Sequence, residues 1–296
     1  MGGKVAGNLV IIGGAEDKEN ECTILKAFIN LAGGSDARIV IMTTATALPE
    51  ETGAQYLDVF GRLGCSHVSA CRVQNRAEAH APANCEKIAH STGVFFTGGD
   101  QLRITSILGG TPLEETLFQK YRAGIVVAGT SAGASAMSDL MIVEGQDDET
   151  PKKCTLKMAP GLGLLREVVI DQHFAQRGRI GRLMLAVSQN PYVLGIGIDE
   201  DTAIWIQPEG VLSVIGSQTA TIIDGRPMVH TNISELKPNQ SLAVIGAGLH
   251  ILPRGYGYDL AGRNVIFPEE EGYFAHRRHA DNYGSQLLQS PAGADY

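Results

Sequence analysis

The stretch GIVVAGTSAGA, residues 124–134, decides the fold expected for this chain. Its apolar first half is rich in β-branched residues and predicts a buried strand, and the small residues after it favour a sharp turn into a helix. Ser131 lies at that turn between Gly129 and Gly133, in the G-x-S-x-G pattern that exposes a hydroxyl on a strand-to-helix elbow. The motif alone fits a nucleophile and a helix-capping serine about equally well.

The segments before this elbow alternate between strand and helix patterns. Continuous apolar runs predict strands that are buried on both faces of a sheet. These runs lie at residues 8–14, 38–44, 67–71 and 94–96. Apolar residues at helical spacing lie between the runs, so we expect an α/β fold with a mainly parallel sheet and helices on both faces. Ligands bind such sheets beyond the carboxyl ends of the strands, where Ser131 and the turn TGGDQ at 97–101 both lie.

The last third of the chain has a different sequence pattern. Short apolar segments separated by glycine, proline and Asp-Gly predict antiparallel strands that are added to the edge of the sheet. They lie at residues 193–198, 203–206, 211–215, 219–223 and 249–252. Because no linker interrupts the sequence, we expect a single α/β domain over residues 1–296, with the polar segment from about 268 to 296 as a peripheral tail.

Composition excludes several classes of protein. The chain has 296 residues, of which 44% are hydrophobic and 19% charged, which is typical of a soluble globular protein. Its net charge of -8 makes nucleic acid and anionic membranes poor partners and attracts a cationic substrate. No apolar run approaches membrane-spanning length, and the amino terminus lacks the apolar core of a secretion signal. We therefore expect a cytoplasmic protein with no membrane or nucleic-acid partner.

Neither a metal nor a cofactor is expected. The five cysteines are odd in number and include no C-x-x-C pair, so they predict neither a disulfide framework nor a zinc site. No other spacing of His, Cys, Asp or Glu matches a metal site. The Gly-Gly-Asp sequence at 98–100 also lacks the spacing and the lysine of a phosphate-binding loop.

A serine hydroxyl becomes a useful nucleophile only when a base accepts its proton and a third group orients that base. Of the eight histidines, His173 ends the apolar run 168–172, which places it at the carboxyl end of a predicted strand. The segment between Ser131 and His173 offers four carboxylates that could orient the imidazole. They are Glu144, Asp147, Asp148 and Glu149. The residues themselves do not choose among the four.

Oxyanion stabilisation requires backbone N–H groups near the nucleophile. The N–H of Ala132, at the predicted helix start, is one candidate donor. The other lies in the glycine turn, at Gly99 or Asp100.

Three further segments carry a resemblance to a known family. FTGGDQ at 96–101, APGLGLL at 159–165 and above all DQHFAQRGRIGRL at 171–183 resemble the cyanophycinases. These are a serine peptidase family related to aspartyl dipeptidase (peptidase E), on a fold similar to that of the class I glutamine amidotransferases. The resemblance covers residues from about 8 to 270.

The resemblance implies a catalytic order of serine, acid and histidine. It assigns the nucleophile to Ser131, the base to His173 and the acid to Glu149, with Asp147 or Asp148 as the replacement. The implied activity is that of a serine exopeptidase that cuts cyanophycin, multi-L-arginyl-poly-L-aspartate, to β-Asp-Arg dipeptides through an acyl-enzyme. The alternatives are an aspartyl dipeptidase acting on small Asp-X peptides and a non-catalytic amidotransferase-like binding module. We also expect a homodimer, an oligomeric state that no sequence feature tests.

The arginines after His173 are candidates for substrate binding. The helical stripe that begins at Ile180 places Arg179 and Arg182 on the opposite, polar face of one helix, and Arg177 lies just before it. Guanidinium groups bind carboxylates in a bidentate way, which suits a polyaspartate backbone. The other candidate substrate contacts, for its cationic or amide parts, are Gln101, Asp171 and Gln172.

Overall fold

The computed structural model describes residues 6–147 and 150–268. Its strands are β1 (Leu9–Ile12), β2 (Arg38–Met42), β3 (His67–Cys71), β4 (Gly93–Phe96), β5 (Val126–Thr130), β6 (Leu140–Gly145), β7 (Leu156–Pro160), β8 (Val168–Gln172), β9 (Leu194–Ile198), β10 (Thr202–Ile206), β11 (Val211–Gly216), β12 (Thr219–Asp224), β13 (His230–Thr231), β14 (Val244–Ile245), β15 (Gly248–Pro253), β16 (Gly257–Asp259) and β17 (Asn264–Ile266). Its α-helices are α1 (Thr23–Leu31), α2 (Pro49–Arg62), α3 (Arg76–Ala79), α4 (Pro82–Ala89), α5 (Gln101–Leu108), α6 (Pro112–Arg122), α7 (Ala132–Ser135) and α8 (Ile180–Gln189).

The main sheet confirms the predicted fold class. Within the described ranges it has nine strands in the order β17-β16-β11-β10-β1-β5-β4-β2-β3. The strands β1, β5, β4, β2 and β3 run parallel to their neighbours in this order. On the other side of β1, the strands β10, β11, β16 and β17 pair antiparallel. The carboxyl ends of β1, β5 and β4 therefore meet at one edge, where the elbow forms.

Alternating side chains on the parallel strands build two cores, one on each face of the sheet. On β1, Val10 and Ile12 share a core with residues of α1 and α2. Leu9 and Ile11 point to the opposite core, which includes residues of α5 and α6. Helices thus cover both faces, which explains why the parallel strands are almost uniformly apolar.

Not all of the late strands extend the main sheet, as the sequence led us to expect. The strands β9, β12 and β15 form a separate four-stranded sheet with β8, in the order β15-β12-β9-β8. Within it, β8 and β9 are parallel, and Gln172 pairs with Ile198. The residues that follow these two strands, His173 and Glu200, therefore emerge at the same end of the second sheet.

The chain divides into two units, with a boundary after Ile266. All the strands and helices above belong to the first unit, and only Phe267 and Pro268 of the second are described. The expected single domain and its tail from about 268 to 296 stay predictions, and most of that tail lies outside the described residues. The five cysteines are free. No helix in the described ranges is long and apolar enough to cross a membrane.

Candidate active site

Ser131 occupies a strained elbow between β5 and α7. Its φ of 53° and ψ of -111° lie outside the regions that non-glycine residues prefer, a strain of about 1–3 kcal/mol that the surroundings must offset. The Ser131 N–H donates to Ile12 O at 3.1 Å, so the end of β1 supports the elbow. A Cβ on Gly129 would lie 2.5 Å from Gly133 O, which shows why this turn requires glycine. The elbow predicted from the G-x-S-x-G pattern is present.

His173 meets the elbow from the second sheet. It directly follows β8, with a φ of 47°, and its N–H donates to Gly13 O at 2.7 Å. The Ser131 Oγ lies 3.0 Å from His173 Nε2, a distance at which the hydroxyl can donate to the imidazole. Gly14 packs against the same ring, because a Cβ there would lie 2.3 Å from His173 Cε1.

The acid that contacts this histidine is Glu200, which the sequence analysis did not consider. Glu200 Oε1 lies 2.7 Å from His173 Nδ1. A proton on Nδ1 donates to this carboxylate, which leaves Nε2 as the acceptor for the serine hydroxyl. The Glu200 N–H donates to Gln176 Oε1 at 3.0 Å, and the next residue, Asp201, donates its N–H to Gly14 O at 2.9 Å.

Of the four predicted acids, two lie outside the described residues, and the two that are described pair with side chains other than His173. Glu149 and Asp148 lie outside the described residues. Glu144 is exposed and pairs with Lys157, and the carboxylate of Asp147 pairs with two arginines. The carboxylate that contacts His173 in the structure therefore follows the histidine in the chain, whereas the expected acid precedes it, and the assignment to Glu149 stays a prediction. The useful signal was the acidic run DED at 199–201, because it directly follows a buried strand, as His173 does.

Burial sets the ionisation of the candidate base. Desolvation lowers the pKa of His173 below its ordinary value, and the positive charges of Arg177 and Arg179 act in the same direction. The hydrogen bond to Glu200 raises the pKa of His173 and only partly compensates. The imidazole is therefore neutral at pH 7 and is able to accept a proton.

The candidate oxyanion donors lie beside the nucleophile. Ala132 begins α7, so its N–H has no intrahelical acceptor. In the glycine turn, the N–H of Asp100 donates to Ala45 O at 3.0 Å, which leaves Gly99 as the candidate donor. The turn is close enough to act, because a Cβ on Gly98 would lie 3.4 Å from Ser131 Cβ. Ala132 and Gly99 are the pair of amides that the proposed oxyanion site uses.

Two of the three candidate substrate-binding arginines are buried and paired with carboxylates. Arg179 and Arg182 are only 5% and 9% exposed. Arg182 Nε donates to Asp171 Oδ2 at 2.7 Å, and its Nη1 donates to Asp147 Oδ1 at 3.0 Å. Arg179 Nε donates to the same Asp147 oxygen at 2.9 Å, and its Nη1 donates to Gln172 O at 2.6 Å. The helical pattern did not predict which side of α8 is buried, because Ile180 of the apolar stripe is 49% exposed whereas Arg182 is covered by carboxylates.

The remaining candidate substrate residues differ in accessibility. Asp171 is 1% exposed and its carboxylate is bound to Arg182, so it is not free to hold a substrate cation. Gln101 is half-buried and donates to Ile142 O at 2.8 Å. Gln172 is buried, and its Oε1 has no partner among the described residues. Arg177 is exposed and lines a surface pocket of about 420 Å³ together with Gln176, which contacts Glu200.

The site consists of side-chain and backbone groups of the protein. Across residues 6–147 and 150–268, no cluster of three or more His, Cys, Asp or Glu side chains is arranged to hold a metal ion. The arrangement of Ser131, His173 and Glu200 can carry out acyl transfer by nucleophilic attack and proton transfer.

Comparison with known proteins gives consistent results. The model of "Peptidase family S51" matches residues 9–214. The cyanophycinase of Trichormus variabilis is 40% identical over 259 residues, which cover 87% of each chain. The cyanophycinase of Geminocystis herdmanii is 40% identical over 253 residues, 85% of this chain and 93% of the relative. The crystal structure of a peptidase from an acI-B1 Actinobacterium has a similar fold, with a TM-score of 0.61 at 20% identity, covering 84% of this chain and 99% of that one.

Gly14→Ala should displace His173, because the new methyl group would occupy the position of the imidazole ring. We expect the rate at which a fluorophosphonate labels Ser131 to fall by about a hundredfold, since small errors in geometry are costly for a nucleophile and its base. Gly64→Ala is the matched control, because Gly64 also has a positive φ, of 88°, and no atom lies within 4 Å of a Cβ added at that position. Circular dichroism would verify that both variants are folded. Parental labelling of the Gly14→Ala variant would contradict the packing role.

Proposed function

Since this chain belongs to peptidase family S51 and is a serine-type peptidase, we propose that it hydrolyses cyanophycin, multi-L-arginyl-poly-L-aspartate, to β-Asp-Arg dipeptides. The relatives that are 40% identical over most of their length are named cyanophycinases. The matched residues cover 87% and 93% of those two relatives, which is nearly the whole of each protein. The proposal extends the activity in their name to this chain.

The observation that supports a serine mechanism is the continuous hydrogen-bonded series from Ser131 Oγ through His173 to Glu200. Ser131 Oγ attacks the scissile carbonyl while its proton moves to His173 Nε2. The oxyanion is held by the N–H groups of Gly99 and Ala132. The imidazolium then donates its proton to the leaving amine, which leaves an acyl-enzyme on Ser131. Water, deprotonated by His173, hydrolyses that ester and restores the serine.

In this proposal Glu200 replaces Glu149 as the acid. A carboxylate on Nδ1 holds the imidazole in the tautomer that accepts from serine and stabilises the imidazolium that forms. The contact of 2.7 Å between Glu200 and Nδ1 supports this role. The expected cytoplasmic location and homodimer stay predictions.

Charge and accessibility favour a polymer that carries both carboxylates and guanidinium groups. Arg177 is the exposed member of the three candidate arginines, and its pocket adjoins the site through Gln176. A planar guanidinium there can bind a substrate carboxylate in a bidentate way. The net charge of -8 attracts the arginine side chains of the same polymer. Gln101 and Gln172 are the candidate amide contacts.

The two alternatives differ in their measurable products. An aspartyl dipeptidase would cut small Asp-X peptides and leave the insoluble polymer intact. A non-catalytic binding module would cut neither, and the contact between Ser131 and His173 argues against it, because a binding module has no need of an activated hydroxyl.

Incubation of the purified protein with insoluble cyanophycin should release β-Asp-Arg, identified by mass spectrometry of the soluble fraction. Ser131→Ala should lower this rate by about 10³-fold or more, because a nucleophile that forms the acyl-enzyme has no substitute. The serine lies at the surface of the elbow, so the variant should keep its fold. Cleavage of Asp-X dipeptides with no release from the polymer would support the dipeptidase alternative instead.

The pH profile tests the base and its acid together. The value of kcat/KM should rise with pH through an ionisation below the ordinary histidine pKa, because burial lowers the pKa of His173 and only the neutral form accepts a proton. Glu200→Gln removes the anion that raises this pKa, so the inflection should move to lower pH while the plateau falls by about 10³-fold or more. Glu149→Gln is the matched control and should keep the parental profile. Loss of activity in Glu149→Gln with a normal Glu200→Gln variant would restore the original assignment.

Arg177→Ala should raise the KM for the polymer by about tenfold, or roughly 1.4 kcal/mol, while the fluorophosphonate still labels Ser131 at the parental rate. Arg177→Lys should rescue KM only partly, because an ammonium keeps the charge but loses the two-pronged geometry. Arg122→Ala is the control, since Arg122 precedes β5 and so lies at the opposite end of that strand from Ser131. An unchanged KM in Arg177→Ala would end its role in binding.

A further inference from the structure

Glu16 is a buried carboxylate that the proposed reaction does not use. It is 3% exposed and lies in the segment that follows β1. One oxygen, Oε2, accepts a hydrogen bond from Thr130 Oγ1 at 2.5 Å. The other, Oε1, accepts from the hydroxyl of Tyr56 and pairs with Lys18 Nζ at 3.0 Å. Burying a carboxylate costs free energy unless it is paired and hydrogen-bonded, so three partners on one side chain indicate a specific role.

The same segment contacts all three parts of the site. Ile12 O accepts from the N–H of Ser131, and Gly13 O accepts from the N–H of His173. Gly14 O accepts from the N–H of Asp201, the residue after Glu200. Asp201 is bound a second time, because the Asp17 N–H donates to its Oδ1 at 2.9 Å. Residues 12–17 therefore connect the chain segments that carry the nucleophile, the base and the acid.

These contacts involve the backbone of residues 12–14 and of Asp17. Glu16 adds a side-chain contact to Thr130, the residue next to Ser131. Thr130 is the last residue of β5 and directly precedes Ser131, whose backbone is strained. A strained conformation persists only where its neighbours are held in place. The bond between Thr130 Oγ1 and Glu16 holds the residue from which the elbow departs, and Thr130 is itself 4% exposed.

We propose that Glu16 is a positioning residue, which acts through Thr130 to hold Ser131 within hydrogen-bond distance of His173. The inference rests on the serine mechanism proposed above. A carboxylate suits this position because its two oxygens accept from two hydroxyls on different elements, one on β5 and one on α2. Burial, together with the nearby negative charge of Glu16, raises the pKa of Tyr56 well above its ordinary value, so its hydroxyl stays protonated and donates.

The two oxygens allow the positioning role to be separated from a structural one. Thr130→Val removes only the Oε2 contact, whereas Tyr56→Phe removes only one of the two partners on Oε1. If Glu16 positions the elbow, the first substitution should affect catalysis, and the second should affect mainly stability. If Glu16 only stabilises the fold, both should lower the melting temperature without a specific effect on turnover.

The experiment measures kcat, KM and the rate of fluorophosphonate labelling for five variants. They are Glu16→Gln, Thr130→Val, Thr130→Ser, Tyr56→Phe and the double variant Glu16→Gln/Thr130→Val. Glu16→Gln and Thr130→Val should each lower kcat and the labelling rate by about tenfold or more, with KM within about twofold of the parent. Thr130→Ser keeps the hydroxyl and should retain kcat within about threefold. The double variant should lose no more than either single one, because both substitutions break the same contact.

Parental kcat in folded Glu16→Gln and Thr130→Val variants would overturn the proposal, as would a loss confined to KM. A Tyr56→Phe variant with the same loss of kcat as Thr130→Val would also overturn it. If Glu16→Gln fails to fold, the comparison of Thr130→Val with Thr130→Ser decides, since both leave the carboxylate with Tyr56 and Lys18. Ser131→Ala separates the two levels of inference: its full activity would refute the serine mechanism, whereas its inactivity beside normal Thr130 variants would refute only the role of Glu16.

Discussion

The close packing of the His173 ring on Gly14 is the contact on which the rest of the site depends. Ser131 belongs to the main sheet, whereas His173 and Glu200 follow strands of the second sheet. The segment after β1 contacts the end of β8, and a single added methyl group at Gly14 would overlap the imidazole of His173. Hydrogen bonds from the backbone of His173 and Asp201 to Gly13 and Gly14 fix that junction. The distance of 3.0 Å between Ser131 Oγ and His173 Nε2 therefore depends on how segments from the two sheets pack together.

The buried ion pairs around α8 support the same geometry. Asp171 and Asp147 neutralise Arg179 and Arg182, which fixes the end of β8 and the segment 173–182 that follows it. Of these pairs, the one between Asp171 and Arg182 is buried on both sides, and removing one partner of a buried pair is costly because an unpaired charge stays buried. Arg179 and Arg182, which the sequence predicts as substrate contacts, thus hold in place the segment that contains His173 and Arg177. Arg177, which is exposed, is the one of the three candidate arginines that stays accessible to solvent.

Local patterns predicted much of this molecule. The parallel strands, the elbow at Ser131 and the histidine at the end of β8 follow from apolar runs, glycine spacing and the position of polar residues after buried strands. Glu200 satisfies the same rule, because it comes two residues after β9. Glu200 was not among the predicted acids, because all four candidates lie between Ser131 and His173 and local patterns do not show that the end of β9 lies beside the end of β8. The burial of Arg182 was missed for a different reason, since a helical pattern reveals a face and not what covers it.

The sequence by itself determined the α/β class and the elbow at Ser131, and it located His173 at the end of a buried strand, because these features depend on short-range periodicity and on the spacing of single residues. The tertiary structure decided which carboxylate reaches His173 Nδ1, which arginines are exposed, and which late strands leave the main sheet. It also placed Glu16 against Thr130, although 114 positions separate them in the chain. The physical reason is that hydrogen bonds and ion pairs require particular atoms within about 3 Å, and only the packing of distant strands sets such distances.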